Sequence, residues 1–186
     1  MALEPLTTWQ STFADLPLTN DKVEGAQNLA DWLGDRLDNL LVCEPVIQGP
    51  NIIYTFDRAT FATELANLPI VNNPETAAKN IANAWNSALS GTTAVMQLGS
   101  SIGPPSNPTL WSSITSTTID APSIALGKAK VEELKDANPV KKAKDSDFPI
   151  KLREAHLLHT ITTVGLDSTP GPSGPLPLTD TSRGVV

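Results

Sequence analysis

From Asp21 to about Val42 the apolar residues Val23, Ala26, Ala30, Leu33, Leu37 and Leu40 recur three and four positions apart. That spacing follows the turn of an α-helix and predicts an amphipathic one. Asp21 followed by Glu24 resembles a capping box, with Thr19 or Asn20 as alternative caps. Gly34 inside this helix costs about 1 kcal/mol against alanine, a cost that close packing of a partner element would explain. Ile52 to Phe56 is rich in β-branched and aromatic residues and predicts a strand. Asp57 is placed to cap a short helix over 58–68, with Phe61, Leu65 and Leu68 inward and Pro69 as its stop. Asn73-Pro74-Glu75 combines a cap residue, a first-turn proline and a first-turn acid. The helix it starts should run to Leu89, bury Ala78, Ile81, Trp85 and Ala88 or Leu89, and end at Gly91 as a C-terminal glycine. Thr92 to Leu98 reads as a strand or as an extension of that helix. Further helices are predicted at about 122–137 and 149–158, and a β-prone run over 159–164.

The pattern breaks down elsewhere. Residues 1–20 scatter Leu3, Leu6, Trp9, Phe13, Leu16 and Leu18 between Pro5 and Pro17, which argues for a nonhelical arm. Its aromatic residues must be covered by the chain's own core or by a neighbouring subunit. Residues 99–123 are rich in Gly, Pro, Ser and Thr and read as a long loop with Trp111, Ile114 and Ile119 as sparse anchors. Residues 167–186 carry Pro170, Pro172, Pro175 and Pro177 with interleaved glycine and lack the apolar content for a core of their own. The expected organisation is therefore an N-terminal arm (1–20), a single domain (21–166) and a Pro/Gly-rich C-terminal arm (167–186). The expected fold class is α+β: three or four amphipathic helices packed with a small antiparallel sheet or hairpins, with extended arms at both ends.

Composition narrows the function classes. The 186 residues include 20 Asp and Glu against 13 Lys and Arg, a net charge of -7. So acidic a chain does not attract phosphate backbones through its overall field, and nucleic acid is not an expected partner. The cluster Lys128, Lys130, Lys135, Lys141, Lys142 and Lys144 is interleaved with acids and reads as a solvated face. The single cysteine, Cys43, excludes an internal disulfide framework. No apolar run is long enough for a transmembrane helix, and the first residues do not read as a secretory signal, so no membrane association is expected.

No motif carries chemistry. His156 and His159 share a helix face, but zinc needs at least three protein ligands, and a role near a helix end is the default. Asp31, Asp35 and Asp38 read as a solvated acidic face, not as a cation site. The glycines at 99 and 103 do not frame a phosphate- or dinucleotide-binding loop, and there is no Gly-x-Ser-x-Gly element. No catalytic residue, cofactor or metal ligand is assigned.

Three elements carry a resemblance: the alanine-rich helix with central Trp85 (Ala82 to Leu89), the Pro104-Pro105-Ser106 turn with its Thr/Ser continuation, and the helix running from His156 through a Thr-rich strand into a Pro/Gly end at Pro177. In these the chain resembles small structural proteins of tailed-phage particles: neck, tail, baseplate or cement components. The resemblance implies a nonenzymatic subunit of a virion assembled in the host cytoplasm, contacting copies of itself and other structural proteins. Trp9, Phe13, Trp111, Pro170, Pro172, Pro175 and Pro177 are then the candidate interface residues. The alternative is a soluble binding or adaptor module, which predicts a self-sufficient monomer with one defined groove. A small hydrolase built around His156 or His159 is the second alternative.

Overall fold

Side-chain caps from aspartate, asparagine and serine open four of the six α-helices among the described residues. Asp21 accepts the N–H groups of Val23 and Glu24 and opens α2 (Lys22–Leu37), and Asp57 accepts from Thr60 and opens α3 (Arg58–Asn67). Asn73 accepts from Glu75 and Thr76 and opens α4 (Pro74–Gly91), and Ser146 accepts from Phe148 and opens α6 (Asp147–Leu157). Each of these bonds satisfies an N–H that the helix itself leaves without a partner. Two further helices, α1 (Leu6–Ala14) and α5 (Ala121–Glu132), begin without a side-chain cap, and a 3-10 turn (Glu133–Asp136) extends α5. These elements belong to a computed structural model that describes residues 2–38, 40, 43–44, 52–97, 101–102, 109–137, 146–171 and 174–185.

The strands are β1 (Cys43–Glu44), β2 (Ile52–Thr55), β3 (Thr93–Met96), β4 (Ser101–Ile102), β5 (Thr109–Ile119), β6 (Thr160–Gly171) and β7 (Gly174–Val185). Five form an antiparallel sheet in the order β1-β7-β6-β5-β4, and β2 and β3 form a separate antiparallel pair. The α+β class is as expected, but six α-helices are present among the described residues where three or four were anticipated.

The core is built from both ends of the chain. Trp9, Leu33, Leu37, Tyr54, Phe61, Trp85, Leu152 and Ile161 are all buried in one cluster. On α4, Ala78, Ala82, Ala84 and Ala88 keep the helix slim around the large Trp85. Trp85 lies within aromatic contact of Phe56, Phe61 and His159.

Three segments differ from the sequence expectation. The N-terminal segment is helical because Pro5 and Pro17 lie outside it: Pro5 occupies the N-cap position, so neither ring interrupts the helical bonds of Leu6–Ala14. The loop expected over 99–123 instead contributes β4, β5 and the start of α5; Thr109 to Ile119 contains no Gly or Pro, and its Thr, Trp and Ile content favours an extended chain. The Pro104-Pro105-Ser106 turn lies outside the described residues. The C-terminal arm is the β6–β7 hairpin. Its prolines sit where the ladder spares them: Pro170 opposes Pro175 near the hairpin end, beyond an irregularity in register after Leu166, and Pro177 opposes Leu166.

Candidate binding groove

The predicted sites were placed as follows. Trp9 is fully buried and meets the Trp32 ring edge-on at 5.6 Å. Phe13 packs on Trp32 and stacks on Phe148 at 5.4 Å. Trp9 is thus covered within one chain, while Phe13 stays partly exposed. Trp111 lies in β5 opposite Asp167, Pro177 is exposed on β7, and Pro172 is outside the described residues.

The histidines are core residues. Both are fully buried, and their rings stand edge to face at 5.6 Å. His156 Nε2 lies 2.9 Å from the carbonyl oxygen of Val185, and His159 stacks on Trp85 at 5.7 Å. Burial pushes His156 down to about 3, helped by the neighbouring His159, and burial pushes His159 down to about 4. Both are therefore neutral at physiological pH. Both stand at or just after the end of α6, as expected, but within the core, and neither ring reaches solvent. Among the described residues no group of three or more His, Cys, Asp and Glu is placed to hold a metal ion.

The acidic face of α2 stays largely exposed at Asp31 and Asp35, with one cation set against it. Arg58 spans it, with Nη1 2.7 Å from Asp35 Oδ1 and 3.9 Å from Asp31, and Nη2 2.6 Å from Asp38 Oδ2. Desolvation opposes the guanidinium charge, but the hydrogen bonds it donates to Asp35 and Asp38 outweigh it and hold its pKa above the ordinary value. Asp38 also accepts the Phe56 N–H at 2.7 Å, which ties the end of α2 to the start of α3. Of the lysine cluster, Lys130 is engaged with Glu133 at 2.6 Å, while Lys141, Lys142 and Lys144 lie outside the described residues.

What remains is a groove between β3 and β5. Its walls are Ala94 to Met96 on one side and Ser112 to Thr117 on the other, and it encloses about 500 Å³. The Tyr54 N–H donates to Leu40, away from β3. In an antiparallel pair the backbone groups of opposed residues turn the same way relative to the ladder. Ala94, opposite Tyr54, therefore turns its N–H and C=O toward β5, and so does Met96, two residues on. On the far side, the Asp120 N–H donates to Thr160. Alternation then turns the backbone groups of Thr117 and Ile119 away from β6 and toward β3.

Two strand edges thus face each other without zipping. Among the described residues no backbone bond joins them; the one hydrogen bond across the gap runs from the Met96 N–H to Thr117 Oγ1 at 3.2 Å. Two register shifts in β5, between Trp111 and Ser113 and between Ile114 and Ser116, mark bulges that bend the strand and interrupt its ladder. The groove's lining carries no charged side chain. At its rim Val95 is 55% exposed, and its cross-strand partner Ile53 is 40% exposed. The Gly, Pro, Ser and Thr content of 99–123 hides this site in the sequence; the uninterrupted β-favouring run 109–119 is the signal that points to it.

No protein-family model, no curated protein and no solved structure matches the chain.

Proposed function

We propose that the chain is a noncatalytic binding module that takes up an extended segment of a partner protein by strand addition in the β3–β5 groove. The observation that carries this reading is the pair of facing, unzipped edges, with a threonine hydroxyl standing where a backbone carbonyl would sit. An unpaired edge offers main-chain donors and acceptors for affinity, and alternate side-chain positions along the groove supply selectivity. Val95, Met96 and Ile114 give it apolar surface, while the Ser and Thr residues keep it wet and uncharged. The full burial of Trp9 within the chain's own core, and the packing of Phe13 on Trp32 and Phe148, favour an autonomous module.

Selection from a library of random peptides of about nine residues, long enough to span the groove, tests it. The expected binders alternate β-branched residues and slow amide exchange at Ala94–Met96 and Ser113–Thr117. Val95→Lys should abolish their binding. Protection mapping to another surface, or binding unaffected by that substitution, overturns the proposal.

A second reading keeps the chain as a subunit of a larger assembly, such as a phage particle. It is favoured by the apolar outer face of the β6–β7 hairpin, where half-exposed Leu166 opposes exposed Pro177 and Val164 is exposed one position further along that face. Light scattering over a concentration series separates the two: a constant monomer mass supports the module, and a defined oligomer supports the subunit.

A further inference from the structure

The groove does not stop at Thr117. It continues along Thr118 and Ile119 into a second depression of about 460 Å³ at the entrance to α5, walled by Pro122, Leu126 and Leu158. Asp120 lies in this depression. It occupies the N-cap position of α5, yet its carboxylate makes no bond to that helix. Oδ2 instead accepts from the Thr160 hydroxyl at 2.7 Å, and Oδ1 from the Thr162 hydroxyl at 2.6 Å. Two hydroxyls therefore fix the carboxylate from below, and each oxygen keeps accepting capacity.

Among the described residues no cation pairs with Asp120. Several other acids do carry a cation: Asp35 and Asp38 pair with Arg58, Glu75 with Lys79, and Glu133 with Lys130 and Lys151. No described ion pair includes Asp120, and no basic residue lines the depression. A fixed carboxylate beside exposed aliphatic walls suits a long basic side chain, whose methylene stem lies on Leu126 and Leu158 while its head pairs with the acid. From Ser113 to Asp120 the strand covers roughly 25 Å, so one extended segment of about eight residues reaches both depressions.

Resting on the strand-addition reading, we infer that the docked segment carries a lysine or arginine at the end that meets α5, and that Asp120 reads it. The remainder of the segment is uncharged, to match the β3–β5 walls.

The test uses the full chain and four dye-labelled peptides of about nine residues with blocked ends. All alternate Thr and Val; two carry Arg at the first or last position, and two carry Gln there. By fluorescence anisotropy, one Arg peptide should bind about fivefold tighter than its Gln counterpart, as a partly exposed ion pair provides. The advantage should fall toward parity near 0.5 M salt, where exposed charges are screened to about 4 Å. Asp120→Asn should erase the advantage, bringing the Arg and Gln peptides to equal affinity. Equal binding of Arg and Gln peptides to the native chain overturns the role of Asp120 and leaves strand addition standing. Failure of all four to bind overturns strand addition and this inference together. Should Asp120→Asn not fold, the salt series on the native chain decides: an Arg advantage insensitive to salt overturns the pairing.

Discussion

Alanine in place of a helix-interior glycine ordinarily stabilises by about 1 kcal/mol. At Gly34 the added Cβ would stand 2.0 Å from Arg58 Nε and 2.4 Å from its Cδ, so the guanidinium would have to leave its aspartates. Those pairs are partly exposed, and each contributes no more than about 1 kcal/mol. The bond from Arg58 Nε to Asp38 is lost with them. Gly34→Ala is therefore expected to destabilise by about 1 kcal/mol in the native background and to stabilise by about the same in Arg58→Ala, where only propensity remains. Urea melts of the four proteins measure this; the same sign in both backgrounds would refute it. The sequence shows the glycine and the three aspartates, but not the arginine 24 positions on from Gly34 that makes sense of both. Gly91 teaches the same lesson. It reads as a C-terminal glycine, but it is the last residue of α4, and a Cβ there would meet Asp57 Oδ2 at 1.9 Å. Its smallness lets the end of α4 approach the cap of α3.

Among the elements, the β6–β7 hairpin shows how local composition misleads. Alone, a segment with this much Pro and Gly does not fold. Here β7 gains β6 on one side and β1 on the other, and its Val185 carbonyl lies within hydrogen-bond distance of the buried His156. Removal of residues 174–185 would leave that ring without its partner and uncover the inner face of β6. The loss should exceed about 3 kcal/mol, a large share of a typical domain's stability. Tryptophan fluorescence in a urea titration reports it, because Trp9, Trp32 and Trp85 are all buried. A truncated chain that melts at the native midpoint would show the hairpin to be an appendage. Of the helices legible in the sequence, α2 to α6, the three read with most detail, α2, α3 and α4, carry a cap, a periodic apolar stripe or both. The strands β5 and β7 were not legible, because Ser, Thr or Pro occupy the positions where apolar alternation would show and one partner of each, β6 for β5 and β1 for β7, lies far away in sequence. The groove shared this fate, since it exists only once β3 and β5 are brought side by side.

For the molecule as a whole, the two buried histidines set a lower pH limit. Unfolded, each binds a proton near its ordinary value of about 6.5. Folded, they do so at about 3 and about 4. Below pH ~6.5 the unfolded state therefore holds more protons, and stability falls as pH drops. It is complete above that value and declines toward the folded values, by about 2 kcal/mol per histidine at pH ~5. The Asp57 carboxyl, held below its usual value by hydrogen bonds from Thr60, adds its own loss only at lower pH. His159→Gln should remove about half of the decline between pH ~6.5 and ~5 in chemical denaturation, and an unaltered slope would count against this account.

The placement of β7 between β6 and β1 also has a kinetic side. Cys43 pairs with Val185 across about 140 positions of chain, and closing so long a loop costs entropy before any contact offsets it. The α1 helix likewise finds its stacking partner, Phe148, in the last quarter of the chain. Local helical turns in α3 and α4 can form within microseconds, but the sheet must wait for distant segments to meet, so refolding belongs to the slow, nonlocal class. Until that meeting the inner flank of β6 stands open, and that interval is when the chain is most prone to join a neighbour's strand instead of its own.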